Sequence, residues 1–170
     1  IKPQNIMLCT RGGEHDVVKV LDFGLAKDVA SADSGELSRG IHIGGTPLYM
    51  APERLTSPKL LDARVDIYSL GCVAYYLLSG KPVFEPNDDL DLLDKIVNAE
   101  PRPLHEICSQ PVPEALAQLV TDCLEKDPQD RPPTVFSILD RLEALDEAGE
   151  WAQEDAAQWW KQVYSNPRSE

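Results

Sequence analysis

Basic residues are scarce in this sequence: Lys and Arg number 16 against 29 Asp and Glu, giving a formal charge of -13 and a pI near 4.6. Non-specific nucleic-acid binding rests on Lys and Arg neutralising phosphates, so nucleic acid is not an expected partner. The four cysteines, Cys9, Cys72, Cys108 and Cys123, are widely spaced, with no Cys-x-x-Cys pair and no His at metal-ligand spacing. That excludes a zinc site or a dense disulfide frame and fits a reduced, cytoplasmic setting. No apolar run approaches the roughly 18 residues of a spanning helix, and no basic-then-apolar leader opens the chain, so no membrane contact is expected from this segment. Internal repeats are also lacking. The chain opens on Ile1 rather than Met, and reads as a segment whose natural start lies upstream.

What is present is ordinary for a globular domain, 42% hydrophobic and 26% charged in 170 residues. Two β-like runs, 6–9 and 17–21, flank a polar, Gly-containing stretch at 10–16, which predicts a small hairpin. Residues 27–45 are rich in Ser, Asp and Gly and read as a long surface loop. After Asp62, the residues Val65, Ile67, Leu70, Val73, Ala74, Leu77 and Leu78 cover too much of a helix for one wet face, so this helix is expected to be central and buried, stopped by Gly80 and Pro82. Asn87 and Asp88 are capping residues for a helix over 89–98 with Leu92, Leu93 and Ile96 inward.

Pro113 and Glu114 open the next helix, with Leu116, Leu119, Val120, Cys123 and Leu124 on one face and Pro128 as its stop. Val135, Ile138, Leu139, Leu142 and Leu145 mark another one-sided helix, and Ala152, Ala156, Trp159, Trp160 and Val163 a last amphipathic stripe. The chain divides into residues 1–147 and a Trp-rich helical tail, 148–170. The tail is expected to dock its aromatic face on the rest, and Glu150, Glu154 and Asp155 disfavour an anionic membrane.

Three segments occur in order: Lys2-Pro3-Gln4-Asn5, Asp22-Phe23-Gly24 and Gly45-Thr46-Pro47-Leu48-Tyr49-Met50-Ala51-Pro52-Glu53. An isolated Asp-Phe-Gly is usually no more than a turn after a strand. The ordered set, with Asp66-Ile67-Tyr68-Ser69-Leu70-Gly71 and Asp127-Pro128-Gln129-Asp130-Arg131-Pro132, resembles the eukaryotic-like (Hanks-type) Ser/Thr protein kinases over residues 1–145. Arg11-Gly12-Gly13 before Val17-Val18-Lys19-Val20-Leu21-Asp22, and the Trp-rich tail, resemble the bacterial members.

The resemblance implies a mainly α fold, a kinase-like C-terminal lobe with a small β-hairpin at its N-terminal end and the N-terminal lobe absent. It implies ATP and Mg2+ as cofactors, protein Ser/Thr hydroxyls as substrates, and Asp22 and Asn5 as metal ligands. Lys2 matches the lysine that reaches the γ-phosphate, and Thr46 the threonine that hydrogen-bonds the catalytic loop. The family spacing of His-Arg-Asp to Asn5 puts the general base one residue before Ile1, so this segment alone is expected to be inactive. Among Ser31, Ser34 and Ser38 of the activation-loop-like segment, Ser38 is the phosphosite expectation, while His42 reads as an exposed loop residue. Glu53 and Arg131 match a buried ion pair, and Asp66 a carboxylate satisfied by backbone amides of the catalytic loop. A pseudokinase-like docking module without catalysis remains the alternative.

Overall fold

The computed structural model describes residues 1–21, 47–146 and 151–165. Its N-terminal part is an antiparallel ribbon of β1 (Ile6–Arg11) and β2 (Glu14–Val20), in which Ile6 pairs with Val20 and Cys9 with Val17. The polar stretch expected as a long connection is mostly strand: only Gly12 and Gly13 turn the chain, with φ of 62° and 91°. A two-residue turn that matches the twist of a hairpin needs positive φ at both positions, and glycine adopts it without steric cost. Between the pairs Cys9–Val17 and Arg11–Glu14, one residue of β1, Thr10, faces two of β2, His15 and Asp16. This is a bulge, and Asp16 sits in it at φ 58°.

The other described residues are mainly helical: α1 (Glu53–Thr56), α2 (Arg64–Ser79), α3 (Asp89–Asn98), α4 (Leu104–Ile107), α5 (Glu114–Cys123), α6 (Val135–Glu143) and α7 (Gln153–Ser165). Helix α2 forms the axis, burying Ile67, Tyr68, Cys72, Val73 and Tyr75 against α5, α4 and the 3-10 turn Pro47–Tyr49. It ends where Gly80 takes the left-handed conformation and donates its N–H to the Tyr76 carbonyl at 2.8 Å. Helix α3 is capped by Asp88, whose carboxylate accepts the Asp91 N–H at 2.9 Å, and it buries Leu92 and Ile96. The main core gathers Tyr68, Cys72, Tyr75, Phe84, Leu92, Ile96, Val120 and Leu124, and a second cluster joins Ile67, Leu119, Cys123 and Ile138.

Several expectations are corrected. Leu77 is 73% exposed, on the side of the last turn of α2 away from the buried Tyr75 and the core-packed Leu78. Helix α5 stops at Cys123 rather than near Pro128, and α4 carried no periodic signal in its four residues. On α6 only Ile138 is buried, and Val135, Leu139 and Leu142 of its apolar stripe are exposed. Among the described residues no helix is long and apolar enough to cross a membrane.

Candidate functional site

Pro3–Asn5 form a short 3-10 turn after Lys2, closed by the Asn5 N–H on the Lys2 carbonyl at 3.0 Å. Proline at its first position fixes φ there and omits an amide that would have no partner. Strand β1 leaves directly from Asn5, and β2 returns to Leu21, whose N–H donates to the Asn5 carbonyl at 2.7 Å. The open end of the hairpin therefore brings Asn5 against the residue that immediately precedes Asp22. Lys2 and Asn5 are both half-buried. Asp22, Thr46 and Ser38 lie outside the described residues.

The segment after Thr46 is tied to α2 by the Ser69 hydroxyl, which donates to the Tyr49 carbonyl at 2.8 Å. Asp66 stands in the first turn of α2, with its Oδ1 3.9 Å from the Ile1 nitrogen.

Glu53 and Arg131, 78 residues apart, meet in the interior. Arg131 Nη1 donates to Glu53 Oε1 at 2.6 Å and Nη2 to Oε2 at 2.8 Å, with side chains 0% and 8% exposed. The other three N–H groups reach carbonyls: Nε to Glu125 at 2.8 Å, Nη1 to Arg64 at 3.0 Å and Nη2 to Lys126 at 3.1 Å. All five guanidinium donors are thus used, which offsets the desolvation that an interior charge suffers. The cation also stands over the Tyr68 ring, 4.9 Å from its centroid.

Sequence reasoning missed the residues around this joint. The Arg64 side chain and backbone N–H each donate to the Asp62 carboxylate at 2.8 Å and hold that carboxyl below its usual range, and Arg64 Nη1 also donates to the Pro128 carbonyl at 2.8 Å. Lys126 donates to the Ile96 carbonyl at 2.8 Å with its Nζ 4.6 Å from the Phe84 ring centroid, and burial lowers its pKa. Pro52, Glu53, Arg64, Lys126 and Gln129 line an open cleft of about 460 Å³. No local motif announces Lys126 or the contact of Arg64 with Pro128, since these partners are backbone carbonyls 30 or more residues away.

Helix α7 packs on β2, and the indoles of Trp151 and Trp160 reach that strand. Trp151 Nε1 donates to Asp16 Oδ2 at 2.9 Å and Trp160 Nε1 to Asp16 Oδ1 at 2.6 Å. Gln153 accepts the His15 N–H at 2.7 Å and donates to the His15 carbonyl at 3.1 Å. Only Ala156 of the expected stripe is buried, while Trp159 is 45% exposed. The two indole donors lower the Asp16 pKa.

A family model described as the protein kinase domain matches residues 1–141. The chain belongs to the protein kinase domain family. Among curated kinases it is 37% identical over 148 residues to serine/threonine-protein kinase pkn3 of Myxococcus xanthus, covering 86% of this chain and 27% of that protein. It is 34% identical over 148 residues to serine/threonine-protein kinase A of Synechocystis sp., covering 86% and 27%, and 39% identical over 145 residues to serine/threonine-protein kinase Pkn1 of Myxococcus xanthus, covering 84% and 20%. The chain therefore spans between a fifth and just over a quarter of the length of these bacterial kinases. The kinase match takes in the hairpin, the Glu53–Arg131 joint and most of α6, and ends before α7.

Proposed function

We propose that this chain is part of the C-terminal lobe of a Ser/Thr protein kinase and that the full protein transfers the ATP γ-phosphoryl group to protein Ser or Thr hydroxyls on the cytoplasmic side. The observation that carries the reading is the 2.7 Å hydrogen bond from Leu21 to Asn5, which brings the amide of one motif beside the residue preceding the carboxylate of another. Mg2+ takes hard oxygen ligands, and an amide oxygen from Asn5 with a carboxylate from Asp22 fits that requirement. When bound, the metal supplies charge neutralisation on the nucleotide phosphates.

This chain's own residues then have distinct tasks. Lys2, one turn before Asn5, offers a cation to the transferring phosphoryl group, where charge stabilisation lowers the barrier. Asn5 is held by its backbone bonds to Lys2 and Leu21. Thr46 orders the segment that receives the acceptor hydroxyl. The bond from the γ-phosphorus to the bridging oxygen breaks, a bond to the acceptor oxygen forms, and the hydroxyl proton passes to a base that motif spacing places one residue before Ile1. By itself the segment does not turn over. Ser38, upstream of Thr46, is the proposed activating phosphorylation site, where added charge orders a loop against basic groups.

The test is Asp22→Asn in the full-length protein, assayed by radiolabelled phosphate transfer. Phosphoryl transfer is expected to fall by roughly a hundredfold or more, the scale of removing one preorganised charge-stabilising group, with melting temperature unchanged. Full turnover by the variant would refute the assignment.

A further inference from the structure

Asp16 is a non-glycine residue at φ 58°, in a bulge that gives β2 one residue more than β1. A bulge re-aims a side chain out of the regular alternation of a strand, and Asp tolerates the left-handed conformation better than most residues. What Asp16 is aimed at is specific. Each carboxylate oxygen takes one indole N–H, from Trp151 and from Trp160, and the adjacent His15 backbone is paired in both directions by the Gln153 amide. Three hydrogen bonds from α7 and one from Trp151, just before it, thus join this segment to two consecutive residues near the hairpin turn. The opposite end of the same ribbon carries Asn5 and leads into Asp22. A lone two-stranded ribbon is marginal in water, so fixing its turn restrains the geometry at its open end.

We infer that α7, with Trp151 before it, is a positioning clamp, holding the hairpin at Asp16 so that Asn5 keeps its place at the open end, as Mg·ATP binding requires. The inference rests on the kinase reading above. Asp16, Trp151, Gln153 and Trp160 are positioning residues and touch no substrate. Because α7 lies beyond the residues that the kinase family model matches, the clamp places the site under the control of a segment outside the matched domain.

The experiment uses the full-length kinase and the variants Asp16→Asn, Trp160→Phe and Gln153→Ala. Asn presents an N–H where an indole donor needs an acceptor, and Phe keeps the ring while deleting the donor. In Mg·ATP titrations, KM is expected to rise about three- to tenfold, with kcat at saturation within twofold of wild type and melting temperature little changed. Hydrogen exchange of residues 14–20 should quicken in the same variants. Wild-type KM in variants that fold would overturn the inference, as would kcat and melting temperature falling together at constant KM. Should Asp16→Asn fail to fold, Trp160→Phe and Gln153→Ala decide it by the same criteria. Wild-type protein without transferase activity would fail the kinase reading itself, and the inference with it. An active wild type with unshifted variants fails the inference alone.

Discussion

Gly71 of α2 lies so close to Cys123 of α5 that a Cβ added to the glycine would stand 2.8 Å from the Cys123 Cβ. That Cβ would also meet the Cys123 carbonyl carbon at 3.3 Å, so the obstacle is the root of a side chain and its backbone rather than a flexible tip. Gly71→Ala gains about 1 kcal/mol of helix propensity, yet overpacking a helix crossing costs about 1–3 kcal/mol. The variant is expected to be the less stable protein in denaturant titration of the complete kinase domain. A variant as stable as wild type would show that α5 moves aside freely.

Removing Arg131 strands the Glu53 carboxylate away from water. Arg131→Ala and Glu53→Ala should each cost roughly 3–5 kcal/mol in the complete domain. The double variant should cost far less than their sum, since the second deletion removes the charge left unpaired by the first. Additive losses of a few tenths of a kcal/mol would contradict the geometry. Arg131→Lys should fail to rescue, because an ammonium has three donors where five are used.

Acid should unfold this chain partly through Asp62. Its pKa is depressed in the fold, first by the Arg64 side-chain hydrogen bond, so its stabilisation is complete above the ordinary value of 3.8 and is lost as pH falls through the lower folded value. Glu125 acts in the opposite sense: burial and its acidic neighbours raise its pKa, so its protonation near and above 4.5 relieves the fold. The melting temperature of Asp62→Asn should therefore approach that of wild type as pH drops below 3.8, and differ from it most at higher pH. A gap that stays constant with pH would place the Asp62 contribution elsewhere.

Burial pushes the Cys72 thiol up to about 12 and the Cys123 thiol up to about 11, so neither is appreciably thiolate near neutrality. Alkylation of native protein followed by peptide mass spectrometry should modify both only after unfolding. Cys9 and Cys108 are half-buried and should react earlier. Rapid native labelling of Cys72 would require opening of the α2 core.

Local patterns announced what local physics decides. The Asp88 cap, the inward Leu92 and Ile96 and the Gly80 stop are set within a few residues, and each was legible. The Glu53–Arg131 contact, 78 residues apart, was legible only through family motifs. Periodicity misled where an apolar residue has no element to cover it, as at Leu77 and along α6. Asp16 gave no signal at all, because a bulge is a property of register between two strands, and its indole partners lie 135 and 144 residues away.

The separation of Asp16 from Trp160 also orders events during synthesis. At 5–20 residues per second, the hairpin emerges roughly 7 to 30 s before the indole that completes its clamp. Proteolysis of nascent chains stalled before and after residue 165 would detect a ribbon that is cut early and protected late. The ribbon joining the two motif segments thus gains these bonds only when translation has passed the residues that the kinase family model matches.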